Sequence, residues 1–157
     1  MQVTDYSHRS GKSTIGTELC RQMREALEGV AFKAHRNCAS DLRQAIRDEL
    51  SKLGWSDKVQ IDTQHKLTIT AMHGRLGLCL QTGNMARFPY DLLKLQVLFL
   101  DERITAAFYL VPTSRCARTM GDNIANFERL TAELKDVFNK VITVPIVVIG
   151  FENEEES

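Results

Sequence analysis

Residues 58–84 read KVQIDTQHKLTITAMHGRLGLCLQTGN, and the way they alternate decides the fold. Leu67, Ile69 and Ala71 fall on one face of an extended segment, and Leu76, Leu78 and Leu80 on one face of the next. A period of two marks a strand, because successive side chains leave opposite sides of the pleat. His73-Gly74 stands between the two runs, where glycine permits the positive φ of a tight hairpin. An earlier short strand is expected in "KVQID" (58–62).

On the C-terminal side the period changes. A helix is predicted from Pro89 to Leu100, with proline in the first turn, where its missing N–H has no partner to lose. "ITAAFYLVP" (104–112) is a buried strand. Ile124, Phe127, Leu130, Leu134 and Val137 recur at helical spacing over 124–138, and "VPIVVIGF" (144–151) is a last, fully apolar strand. On the N-terminal side two amphipathic helices are predicted. The first, over 14–28, carries Ile15, Leu19, Met23 and Leu27, with Gly29 as its stop. The second, over 41–53, has Ser40 as N-cap and Leu42, Ile46, Leu50 and Leu53 as its stripe. The order α, α, β, β, β, α, β, α, β predicts an α/β chain: one mixed β-sheet, with a hairpin and βαβ-type crossovers, flanked by helices on both faces.

A chain of 157 residues suits one domain, expected over 1–151, with the acidic run "ENEEES" (152–157) as a flexible tail. No apolar run approaches the ~20 residues that span a bilayer, and the polar N-terminal stretch has no signal-peptide hydrophobic run. The four cysteines form no CxxC pair and fit free thiols in a cytoplasmic protein. With 20 basic and 20 acidic residues the net charge is zero, so any attraction to nucleic acid must come from charge divided between faces.

One motif misleads. Gly11-Lys12-Ser13-Thr14 has the ending of a phosphate-binding P-loop. That loop needs a glycine five residues before its Gly-Lys pair, so that its N–H groups can turn inward. Tyr6 occupies that position, and "MQVTDY" barely makes the preceding strand. No nucleotide is expected at Gly11–Thr14.

Five fragments in order carry a resemblance: "YSH" (6–8), "LGWSD" (53–57), "GRLGLCLQTGN" (74–84), "YDL" (90–92) and "VPIVVIGF" (144–151). Together they resemble the BglII/BstYI restriction endonucleases, of the PD-(D/E)xK nuclease fold. That resemblance implies a restriction-endonuclease-like core, double-stranded DNA as partner, a homodimer cutting a palindromic site, and Mg²⁺ as cofactor. It also implies a catalytic centre with an aspartate on the hairpin and a Glu-x-Gln on the next strand. Two carboxylates on neighbouring strands hold the ion against the scissile phosphate, and residues i and i+2 of a strand face the same way.

Matched position by position, Glu-x-Gln falls on Cys79-Leu80-Gln81 and the aspartate on Thr70. Gln81 is retained and both acids are replaced. A thiol and a hydroxyl are poor ligands for a hard divalent ion. The expected function is therefore a catalytically degraded, DNA-binding member of the fold, with no metal and no cofactor. Two alternatives stand beside it. An active Mg²⁺-dependent endonuclease would need migrated acids, for which Asp62 and Asp91 are the nearest. An interaction module would pair with a nuclease or antagonise one. Cys79 has no thiolate-stabilising partner nearer than His73, so nucleophilic catalysis is not expected. The resemblance puts DNA-facing side chains at Asn84 and Asn126, with Arg75 and Arg87 flanking the cleft.

Overall fold

A computed structural model of the chain describes residues 1–155. Its hairpin, β4 (Ala71–His73) and β5 (Leu76–Leu80), forms one side of a five-stranded mixed sheet. Parallel to β5 run β6 (Ala106–Pro112) and then β7 (Ile146–Glu152). An antiparallel strand, β1 (Gln2–His8), closes the far edge, giving the order β1-β7-β6-β5-β4. Every residue of β6 is buried, as a central strand between parallel neighbours requires.

Alternation divides the core into two layers. Leu78, Leu80, Phe108, Leu110, Val147 and Ile149 belong to one, with α2 (Thr17–Glu28) and α3 (Ala39–Lys52). Cys79, Ala107, Tyr109, Val111, Ile146 and Val148 belong to the other, with α4 (Arg87–Leu100) and α6 (Phe127–Asp136). Leu92, Leu95 and Leu98 of α4 are at most 1 % exposed. Burying each contributes roughly 2 kcal/mol, far more than the few tenths that helix propensity supplies. Gly77 lets α4 come close: a Cβ there would stand 3.2 Å from Leu95 and 3.3 Å from Ile104.

The expected mixed sheet with helices on both faces is present, and several elements differ in detail. The segment read as barely a strand is β1, paired with β7 along its whole length. It is an edge strand of mixed polarity, so its sequence carries no apolar run. The run 67–71 is interrupted at Thr70. Leu67–Ile69 forms β3, which pairs with β2 (Val59–Asp62) in a separate two-stranded sheet. Helix α3 begins at Ala39, and Cys38, not Ser40, precedes it. Helix α6 is shorter than 124–138, because Asn126 caps its start by accepting from the Arg129 N–H. A helix unmarked by any long apolar period, α5 (Ser114–Met120), follows Thr113, whose hydroxyl accepts from the Cys116 N–H.

The Gly-Lys-Ser-Thr stretch forms most of a five-residue helix, α1 (Gly11–Ile15). Gly11 lies against β7: a Cβ would stand 2.4 Å from the Ile146 carbonyl oxygen. Lys12 pairs with Asp5 at 2.5 Å. At the other end, β7 continues to Glu152, and Asn153 exchanges hydrogen bonds with the Ala34 backbone. The last two residues of the expected tail, 156 and 157, lie outside the described residues. No helix among the described residues is long and apolar enough to cross a membrane.

Candidate functional site

The break at Thr70 makes the site. The β4–β5 ladder ends at the pair Ala71–Leu78. Beyond it, Thr70 N–H donates to the Leu78 carbonyl at 3.1 Å, and Leu80 N–H donates to the Thr70 hydroxyl at 2.9 Å. A side chain thus takes the place of a ladder carbonyl, and the strands part. The Leu80 carbonyl is left for Arg43 Nη1, while Arg43 Nη2 donates to the Thr70 hydroxyl at 3.3 Å. A cleft of about 630 Å³ opens here, lined from α3, β3, β5, the loop 81–83 and α4. Arg43, Arg47, Lys58, Arg87 and Lys94 line it, against a single carboxylate, Asp91. A chain of zero net charge therefore concentrates cations in one concavity.

Asp91 is held on all sides. One of its oxygens accepts from Gln81 Nε2 at 2.7 Å and from the Tyr109 hydroxyl at 2.8 Å. The other lies 3.5 Å from Lys94 Nζ, which also donates to the Thr68 carbonyl at 3.0 Å. Gln81 Oε1 accepts from the Gly83 N–H at 2.9 Å, fixing which way its amide points. Burial, and then the neighbouring Asp91 charge, push the Tyr109 phenol well above its ordinary pKa, so it remains a donor.

The residues singled out from sequence fall into three places. Thr70, Cys79, Gln81, Arg87 and Asp91 all line the cleft. Asn84 and Asn126 lie on a rim beside it. There the loop after β5 bridges to the loop before α6 through Asn84 and Ile124, and Ala125 N–H donates to the Gly83 carbonyl. Asn84 Oδ1 accepts from the Ala86 N–H, and Asn126 Oδ1 is the helix cap. Arg75 and Asp62 are not in the lining. Arg75 sits at the opposite end of β5, donating to the Glu102 carbonyl. Asp62 is on β2, and its carboxyl is held below its ordinary pKa chiefly by the His65 backbone N–H. Arg43, Arg47, Lys58 and Lys94 were not singled out. The trace they leave in sequence is slight: Arg43 and Arg47 are one helical turn apart, beside the apolar stripe.

These donors do not fit a hard divalent ion. The Thr70 hydroxyl is already bonded to Leu80 and Arg43. The Cys79 thiol is buried, and that burial, followed by the Asp91 charge, raises its pKa far above the ordinary thiol value. The one carboxylate faces a lysine. Among the described residues no group of three His, Cys, Asp or Glu side chains is placed to hold a metal ion.

Comparison with known proteins bears on the same architecture. The crystal structure of restriction endonuclease BglII complexed with a DNA 16-mer superposes with a TM-score of 0.87 at 13% identity, covering 100% of this chain and 81% of that one. The crystal structure of free BglII superposes with a TM-score of 0.76 at 14% identity, covering 100% and 82%. No curated protein matches the chain. The family model for restriction endonuclease BglII/BglIII matches residues 3–151, almost the whole chain, and the protein therefore belongs to the BglII/BglIII restriction endonuclease family.

Proposed function

We propose that this chain binds double-stranded DNA through the cleft between α3 and α4 and does not cleave it. The observation that carries the reading is the exchange of charge at the site. Where the resemblance places two metal-binding acids, the chain has Thr70 and Cys79, and five cationic side chains line the surroundings. Cations contact the DNA backbone and supply most of its sequence-independent affinity. The exposed rim residue Asn84 has its Oδ1 engaged by the Ala86 N–H and by Asn123, and offers its amide N–H donors to an acceptor on a base edge. Replacement of the two acids takes away the anchor for a divalent ion at the scissile phosphate, and the one lining carboxylate, Asp91, is already engaged by Gln81, Tyr109 and Lys94.

The migrated-acid alternative now rests on Asp91 alone, since Asp62 lies outside the lining. A plasmid incubated with the protein and Mg²⁺ or Mn²⁺ should remain uncut while duplex DNA is retarded in a gel. Specific cutting that is lost in Asp91→Asn and kept in Cys79→Ala would establish an active nuclease instead.

The homodimer belongs to the same reading. Tyr90, Leu93, Val97 and Leu100 are each at least half exposed and recur at i, i+3, i+7 and i+10 along α4. That spacing makes one apolar stripe beside the cleft, and a second copy packing on it would align two clefts about a two-fold axis. Light scattering should give twice the chain mass, and Leu93→Lys with Val97→Lys should halve it.

A further inference from the structure

We propose that the Arg43 guanidinium is a built-in cation standing in for the divalent ion, so that the cleft holds a backbone phosphodiester without any metal. The proposal rests on the DNA-binding reading for the identity of its ligand, and on the geometry of α3 and the parted hairpin for the site itself. Arg43 reaches from α3 to both sides of the gap: to the Thr70 hydroxyl, and to the Leu80 carbonyl between Cys79 and Gln81. These are the positions around which the resemblance would assemble a metal. Two of its five N–H donors are engaged there, which leaves the other three for a ligand.

The electrostatics ask for an anion. Arg43 is half-buried, and burial, then the neighbouring Arg47 charge, lower its pKa from the ordinary value. Arginine nonetheless stays charged at neutral pH. A desolvated cation without a counter-charge is costly. Only two of the five cations lining the cleft make ion pairs among the described residues: Lys94 with Asp91, and Arg47 with the exposed Asp57. Asp91 favours the Arg43 charge from a distance but makes no ion pair with it, because its oxygens are already engaged by Gln81, Tyr109 and Lys94. A planar fork of donors matches two oxygens of a phosphate, and a phosphodiester carries the single negative charge that the site lacks. Arg87 lines the same cleft and would extend the contact along the strand.

The test is binding of a fluorescent DNA duplex by anisotropy, in EDTA and across a KCl series. It is run on the full chain and on Arg43→Met, which keeps the stem and removes the charge. Wild-type affinity should agree within twofold between EDTA and 1 mM Mg²⁺ at equal ionic strength. Arg43→Met should bind about tenfold more weakly, with a log–log salt slope shallower by about one. In parallel, the Nε–H resonance of Arg43 in the wild-type chain is followed during titration with inorganic phosphate, which depends on no variant folding. It should shift and saturate. If duplex binds but neither Arg43→Met nor phosphate has an effect, the proposal falls and the DNA-binding reading stands. A requirement for Mg²⁺ would also overturn it. If phosphate shifts Arg43 but duplex does not bind, the anion site stands and the DNA reading falls. If neither ligand binds, both fall.

Discussion

Asp91 and Arg43 reach one cleft from helices on opposite faces of the sheet, and they are held in opposite ways. Asp91 meets Gln81, Tyr109 and Lys94, so its charge is answered inside the protein. Arg43 donates only to a hydroxyl and a carbonyl, both neutral, and feels the charge of a second arginine more strongly than that of Asp91, with which it makes no ion pair. A buried charge whose partners are all internal holds structure together. A charge whose partners are neutral and whose spare donors face a concavity is arranged for something that arrives from outside. The difference separates the pin of this site from its contact, although both residues line the same space.

The comparison breaks most visibly on removal of the pin. Asp91→Ala leaves Lys94 without its counter-charge and orphans the Tyr109 hydroxyl and the Gln81 amide. The expected loss is about 3 kcal/mol, or roughly 6–12 °C in Tm for a chain of this size. DNA affinity measured well below the new Tm should change little. A Tm shift under 2 °C accompanied by a tenfold loss of affinity would move Asp91 to the ligand-facing side of the comparison.

A smaller effect reports on the inside of the pin. Tyr109→Phe removes one hydrogen bond to a charged acceptor and should cost about 1.5 kcal/mol at pH 7. The pH dependence carries the sharper signature. In the folded chain the phenol stays protonated well above pH 10, whereas in the unfolded chain it ionises near 10. Below 10 both states hold the proton and no dependence arises. Above 10 only the unfolded state releases it, so wild-type stability falls, by up to about 1.4 kcal/mol per pH unit. Tyr109→Phe lacks this contribution. The gap between the two proteins in urea unfolding should therefore narrow between pH 9 and pH 11. Parallel curves would mean that Tyr109 is not buried against Asp91.

The sheet was legible because β5, β6 and β7 are written as alternating or continuous apolar runs, and their neighbours had to be helices. The edge strand β1 was not, since half-exposed "QVTDYSH" pairs through its backbone and has no apolar stripe to show. Helix α5 is too short for periodicity to detect. Within the site, Cys79 and Gln81 are legible as one strand face, and Thr70 as a position nine residues earlier. The interruption at Thr70 was not legible, because Leu67, Ile69 and Ala71 keep a perfect alternation through it. Arg43 was hidden for a related reason. It adjoins Leu42 on a helix whose Leu42, Ile46 and Leu50 face the core, so in sequence it reads as the start of the solvated face. Only the parting of two strands beneath it makes that position a site, and that is a tertiary event.

The smallest expected effect is the stability change on Arg43→Met, and it is the other half of the comparison. The Leu80 carbonyl and Thr70 hydroxyl lose a donor, but both line an open cleft in which water can replace it, so the loss is small. Methionine keeps the apolar stem against α3 and the hairpin. Removing the charge also removes its desolvation and its repulsion from Arg47, both larger than the attraction to Asp91 that is lost with them, and these offset part of the lost hydrogen bonding. In anion-poor buffer the variant should match wild type within about 1 kcal/mol, given that a typical hydrogen bond contributes only about that much. Saturating duplex DNA or phosphate should then stabilise the wild type by mass action and the variant much less. Thermal unfolding of both proteins, with and without ligand, reads all four states. A loss of about 3 kcal/mol in anion-poor buffer, with equal ligand-induced shifts in the two proteins, would make Arg43 a second pin like Asp91, and the contrast between them would disappear.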